Sequence, residues 1–350
     1  MTVLCVLCCA LFVSCSPNSD TSPGNRSIIS PSGTNSSGSK NSSDNKTATS
    51  SGASNLDLNV IAASPDITLP HVPSGSDTKA EKTEYGAIDY SSSSDGYFMA
   101  KYTGAKTGSD LDIVLLVNTP NPQFPQYQYY LSQDGEYGVF PFSEGNGSYI
   151  ISIFKRLQGN EFTQLMAVEC FVSIRDELLP FLVTNTKVRY SGQSLSVKLA
   201  SELTKDDESF FDRVGSVFSY VVSNISYDTG KAEAAARGEL ISYIPDNDQI
   251  LRGRKGICFD YATVTTAMLR SLGIPTKVTF GYASTGATNE TVYHAWISVY
   301  SVETGWVEGI IEFSSNGWTR MDPTFLSSSN TKSMANFIGN GDNYTDDLHF

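Results

Sequence analysis

The period of the hydrophobic pattern changes once along this chain, and that change limits the possible folds more than any other feature. Across residues 88–190 apolar and polar residues alternate in short runs, GYFMAKY, LDIVLLV, YQYYL, EYGVFPF, YIISIFKRL and FTQLMAVECFVSI, punctuated by Asn-Pro-Asn, Gln-Asp-Gly and Gly-Asn-Gly. A period of two between turn residues is the signature of strands, and six of them in about 100 residues predict a β-sandwich. From near Ser201 the period lengthens: Phe210, Phe211, Val214, Val217, Phe218, Val221, Val222 and Ile225 recur at three and four, the stripe of an amphipathic helix. Thr204 is read as its N-cap, with Asp206, Asp207 and Glu208 in the first turn, where the helix dipole favours acids. A second helix is predicted from Cys258 to Leu272, ended by Gly273 and barred from continuing by Pro275. Strands follow at KVTFGYA, YHAWISVYS and GWVEGIIEF, the last turning through Asn316-Gly317 into Trp318 to Asp322. Helices first and an antiparallel sheet after them make this half α+β.

Four segments follow from these patterns: a leader over 1–15, a disordered linker over 16–86, a sandwich of immunoglobulin-like type over 87–192, and an α+β domain over 193–350. The linker is rich in Ser, Asn, Gly and Thr, and buries too little apolar surface to offset its ordering entropy. In the sandwich, Tyr127, Tyr129 and Tyr130 fit either a contact surface for carbohydrate or peptide or cross-strand packing. Cys170 falls on the apolar face of its strand, as a core thiol.

The formal net charge is −13, with 5 Lys/Arg against 8 Asp/Glu in residues 1–90, 7 against 10 in 91–194 and 12 against 19 in 195–350. An acid excess in every segment argues against nucleic acid as a partner. The apolar run Val3 to Val13 is eleven residues long, where a membrane-spanning helix needs about 20. Phe12-Val13-Ser14-Cys15 resembles the lipobox of bacterial lipoproteins, although Met1-Thr2 lacks a basic residue. The resemblance implies cleavage before Cys15, its lipidation, and an extracytoplasmic chain tethered to the membrane. The histidines are His71 in the linker, His294, and His349 at a frayed C-terminus, so no metal site or cofactor is expected.

Cys258, His294 and Asp322, in GICFDYA, YHAWISVY and MDPTF, suit nucleophilic acyl chemistry. A thiol in the first turn of a helix meets the positive end of the dipole, and Arg252, Arg254 and Lys255 lie just upstream; both favour the thiolate. An imidazole on a neighbouring strand can pair with that thiolate and protonate a leaving amine. A carboxylate accepting the other ring N–H would fix its tautomer. Alternation places Tyr293, Ala295, Ile297 and Val299 on one face, with His294 and Trp296 on the other, where a cleft is expected.

In that order and context, residues 200–326 resemble the transglutaminase-like domain, a branch of the papain-like cysteine enzymes. The resemblance implies a catalytic triad of Cys258, His294 and Asp322. Phe259 stands where animal-type transglutaminases commonly place Trp, and no calcium-loop spacing is seen. The backbone N–H of Cys258 is one oxyanion donor, with Tyr227, Tyr243 and Trp296 as candidates for the second donor or the cleft wall. Trp296, Trp306 and Trp318 equally suit sheet packing. The resulting expectation is a peptidase or amidase acting on a protein or peptide substrate, with cell-wall peptide among the candidates. The alternatives are glutamine-dependent cross-linking of surface proteins and a non-enzymatic adhesion protein.

Overall fold

The computed structural model describes residues 56–284, 291–302, 305–307 and 344–350. Its first unit holds α1 (Leu58–Ala62) and eight strands: β1 (Ala80–Thr83), β2 (Gly86–Asp89), β3 (Tyr97–Tyr102), β4 (Ile113–Asn118), β5 (Gln126–Tyr130), β6 (Gly138–Pro141), β7 (Gly147–Gln158) and β8 (Glu161–Val172). They form two antiparallel sheets, of order β1-β2-β3-β6 and β5-β4-β7-β8. All six runs read from alternation are strands. Inner side chains of the two sheets meet: Tyr129 of β5 sets its ring edge on Phe140 of β6 at 4.8 Å. Tyr127 and Tyr129 are 3% and 2% exposed, which decides for packing over a contact surface. Cys170 is buried, burial pushes its thiol up to about 11, and no disulfide joins it to Cys258.

The second unit begins with α2 (Leu195–Leu203), α3 (Phe210–Asn224), β9 (Ser226–Tyr227), α4 (Thr229–Ala236), α5 (Asn247–Gly253), β10 (Lys255–Gly256) and α6 (Cys258–Ser271). Then come β11 (Thr276–Ser284), β12 (Thr291–Ser301), β13 (Gly305–Val307) and β14 (Tyr344–His349), an antiparallel sheet of order β13-β12-β11-β14. Helix α6 is buried along its whole length between α2, α3, α5 and this sheet. Gly273, at φ +77°, stops it in a left-handed conformation that a side chain would strain. Its buried Arg270 donates to the carbonyls of Thr276 (2.8 Å), Val183 (2.7 Å) and Phe350 (2.8 Å), binding α6 to both flanking segments.

Three expectations need correction. Thr204 does not cap α3: it closes α2, its hydroxyl donating to Ala200 O at 2.9 Å. The N-cap is Ser209, whose hydroxyl accepts the Asp212 N–H at 3.1 Å while Asp212 accepts the Ser209 N–H at 3.3 Å, a reciprocal capping box. Residues 56–86, assigned to the linker, are held against the body. α1 packs on α2, Lys198 Nζ donates to Ala62 O (3.1 Å) and Ser64 O (2.7 Å), and the Ile67 N–H reaches Gly192 O at 2.9 Å. The C-terminal His349 is not frayed; it is 8% exposed, on a strand paired with β11. The leader, Cys15, residues 16–55, the Asn316-Gly317 turn, Trp318 and Asp322 lie outside the described residues.

Candidate active site

The site is built on the turn that starts α6. Ile257, the N-cap, has extended backbone (φ −105°, ψ 179°) and a side chain that cannot accept a hydrogen bond. Asp260, at the third helical position, does the capping from inside: its Oδ2 accepts the Ile257 N–H at 2.8 Å. This carboxylate is fully buried and has two further donors, Lys231 Nζ from α4 at 2.5 Å and the Tyr243 hydroxyl at 2.7 Å. Gly256 is required here, because a Cβ at that position would lie 2.7 Å from Asp260 Cβ. Cys258 is thus the first residue of a buried helix whose entry is pinned from three elements.

The pins also set the local field. A buried anion two residues beyond a thiol would oppose its ionisation, and Lys231 neutralises that anion at contact distance. The upstream cations contribute less than the sequence implied. Lys255 pairs with Asp228 at 3.2 Å and is half exposed, and Arg252, in the last turn of α5, donates to Asn59 at 3.2 Å. Asp260 sits at a capping-box position and was legible in principle; Lys231, 29 residues earlier, had no local signal.

Tyr243 cannot serve as an oxyanion donor. Its single hydroxyl proton goes to Asp260, and it accepts from Lys231 Nζ at 2.5 Å. Burial first, then Asp260, pushes its phenol well above the usual range and keeps that proton in place. Tyr243 remains a cleft-wall residue. Tyr227, half-buried on β9, is in register with Gly256, directly before the nucleophile turn.

His294 is 2% exposed on β12 and paired with Gly281 of β11. Trp296, on the same face with its ring centroid 6.3 Å from the imidazole, is 1% exposed and packs edge-on against Tyr344 at 4.9 Å. Trp296 is therefore sheet packing. The other face of β12 meets α6: Tyr293 stacks on Phe280 (6.2 Å), and Phe280 lies against Phe259 (4.8 Å). Tyr293 is within electrostatic reach of Cys258. A cleft opens on this Tyr293 face, beside the turn before Cys258. It has a volume of about 50 Å³ and is lined by Ile257, Phe259, Phe280, Tyr293, Gln128, Lys187 and Phe350. Helix α6, which starts at Cys258, and β12, which carries His294, pack against each other.

Residues 197–323 match the model of the transglutaminase-like superfamily. The chain carries a transglutaminase-like domain. The match takes in Cys258, His294 and Asp322 and spans helices α2 to α6 with β11 to β13. An uncharacterized protein of Bacillus subtilis strain 168, YebA, is 31% identical over an alignment of 128 positions covering 31% of this chain. The alignment covers only 16% of YebA, so the chain spans a small part of that protein's length. Among solved structures, a candidate cysteine protease from Cytophaga hutchinsonii aligns over 69% of this chain and 77% of its own, with 15% identity and a TM-score of 0.37. Red sea bream transglutaminase aligns over 67% and 49%, with 11% identity and a TM-score of 0.26. Neither overlap extends the reading beyond the sequence match of the transglutaminase-like domain.

Proposed function

We propose that this protein is a cysteine enzyme that attacks an amide through a Cys258 thioester, tethered outside the cytoplasm by lipid on Cys15. The observation that carries the reading is the setting of Cys258: the first residue of a buried helix, its entry pinned by a neutralised carboxylate, beside a cleft and the strand bearing His294. In this reaction the thiolate sulfur bonds to the carbonyl carbon. The Cys258 N–H, at a position a helix leaves without an intrahelical acceptor, stabilises the oxyanion. The His294 imidazolium protonates the departing amine as the C–N bond breaks, with Asp322 holding the other ring N–H. Water, deprotonated by His294, then releases the acid and restores the thiolate–imidazolium pair, which makes the activity that of a peptidase or amidase.

The two four-stranded sheets are read as an immunoglobulin-like sandwich, a reading supported by their crossovers: β6 lies beside β3 in one sheet and β7 beside β4 in the other. Gln128, on β5, contributes to the cleft, so the sandwich forms part of the substrate's surroundings. The deciding experiment incubates the protein with a glutamine peptide and a primary amine and reads products by mass spectrometry. Cleavage or deamidation that is absent in Cys258→Ala supports the reading, and amine incorporation would move the assignment to cross-linking. Products identical in wild type and Cys258→Ala would overturn it. Detergent-phase partitioning lost in Cys15→Ala tests the tether.

A further inference from the structure

Three buried or half-buried cations among the described residues are matched by oxygen, as half-buried Lys187 is not. Arg270 meets three carbonyls, Lys198 meets two carbonyls and Asp66 (3.2 Å), and Lys231 meets Asp260 and Tyr243. Lys187 differs. It lines the cleft beside the nucleophile turn, yet among the described residues its ammonium has no hydrogen-bond acceptor and no ion-pair partner. It faces the rings of Tyr129 and Phe350, with centroids at 5.9 and 5.8 Å, and the nearby charge that acts on it, Arg189, has its own sign. Ring faces attract a cation but do not replace the hydration it loses. Burial, with Arg189 adding to it, pushes the ammonium down to about 8.

The cleft around it is otherwise mostly apolar, with Gln128 and the Tyr243 hydroxyl among its polar groups. Phe259, Phe280, Tyr293 and Phe350 form walls suited to an apolar side chain, and Ile257 and Phe259 flank Cys258 in sequence. An unmatched cation at the edge of an apolar cleft beside a nucleophile is complementary to a ligand that brings an apolar group and an anion together. We propose that Lys187 is the carboxylate-binding residue of this cleft. The substrate class is then a peptide with an apolar side chain seated against Phe259, Phe280 and Tyr293 and a carboxylate within reach of Lys187. This substrate class rests on the reading of Cys258 as the nucleophile; the binding site itself does not.

The test is ligand-observed NMR titration of the full chain carrying Cys258→Ser, so that binding is measured without turnover. N-acetyl-phenylalanine and N-acetyl-phenylalanine amide differ only in the carboxylate. N-acetyl-phenylalanyl-glutamate α-amide carries only a side-chain carboxylate, and separates that source from a chain terminus. The carboxylate is expected to bind about tenfold tighter than the amide, the size of a charge-assisted hydrogen bond. Lys187→Met should abolish the preference, and Lys187→Arg should keep it. The preference should also fade between about pH 6.5 and about pH 9.5 as the ammonium loses its proton. Arg189, Asp110 and Tyr130 on the sandwich side, Tyr129 beneath the ammonium, and Tyr243 and Tyr293 across the cleft are the other ionisable groups facing it. Burial holds the Tyr129, Tyr243 and Tyr293 phenols protonated through that range. If Lys187→Met fails to fold, the carboxylate-amide comparison in wild-type side chains and its pH dependence decide alone. Equal affinities, no binding of any probe, or a preference surviving in Lys187→Met would overturn the proposal. Failure of the nucleophile reading registers separately, as iodoacetamide labelling of Cys258 no faster than that of Cys170.

Discussion

At the scale of single residues, the chemistry depends on a thiol and on a carboxylate that must be silenced. Asp260 holds the Ile257 N–H and so fixes the entry to α6, but only Lys231 keeps its charge from acting on Cys258. Lys231→Met therefore leaves the carboxylate in place and uncompensated. The midpoint for alkylation of Cys258 by iodoacetamide is expected to rise by about one pH unit, read by peptide mapping with Cys170 as internal reference. An unchanged midpoint with slower labelling at every pH would mean that Lys231 is structural only. The triad makes its own demand: Cys258→Ala and His294→Ala should each remove nearly all turnover, and their combination should cost little more, because they act as one unit. Asp322→Asn should be milder, since the imidazole stays. Multiplying losses in the double variant would show that the two roles are separate.

At the scale of elements, what was legible in the sequence is what local rules govern. The six strands read from alternation in the first unit followed from period two, and α6 was bounded to within a residue because Gly273 and Pro275 can only end a helix there. The start of α3 shows how two local signals compete. Thr204 and Ser209 both suit an N-cap, but Thr204 is consumed by the end of α2, and only at Ser209 does the acid three residues on, Asp212, return the hydrogen bond, although Thr204 has Asp207 at the same spacing. Ser209→Ala should thus lower unfolding free energy by about 1 kcal/mol, whereas Asp206→Asn should leave it unchanged. Urea melts followed in the second unit would reverse the assignment if the larger loss fell on Asp206. What stayed illegible depends on partners distant in sequence. The seating of α1 against α2 draws on Lys198, 134 residues beyond Ser64. β14 pairs with a strand some 65 residues earlier, and no periodicity in six residues announces that. Of the candidate site, Cys258 and the His294 strand were legible as motifs; the Lys231 pin was not, because it is set by packing between elements.

At the scale of the molecule, the two units are joined where β14 ends against the sandwich. The His349 N–H donates to Tyr127 OH at 3.0 Å, and Phe350 sets its ring on Tyr127 and Tyr129 at 5.6 and 5.8 Å. The His349 ring lies between Glu144 of the sandwich at 3.3 Å and Asp346 of its own strand at 3.2 Å, with Phe124 edge-on at 4.6 Å. Burial alone would lower this imidazole, but its hydrogen bonds to Asp346 and Glu144 outweigh burial and the nearby Lys277, and hold it above its usual value. Burial would likewise raise Glu144, and the bonds from His349, Tyr127 and Asn121 hold it below. The two shifts act at opposite ends of the pH scale. A histidine raised on folding stabilises fully below its unfolded value, about 6.5, and that contribution is lost as pH rises through the folded value. A glutamate lowered on folding stabilises above its unfolded value, about 4.3, and loses this as pH falls through the folded value. The joint is therefore strongest between the two, in mildly acidic solution. His349→Gln should lower the melting temperature at about pH 6 by 2–4 °C, the equivalent of about 1 kcal/mol in a protein of this size, and the gap from wild type should close towards about pH 9. A gap that is constant, or that widens with pH, would show that the imidazole contributes by packing on Phe124 rather than by its charge.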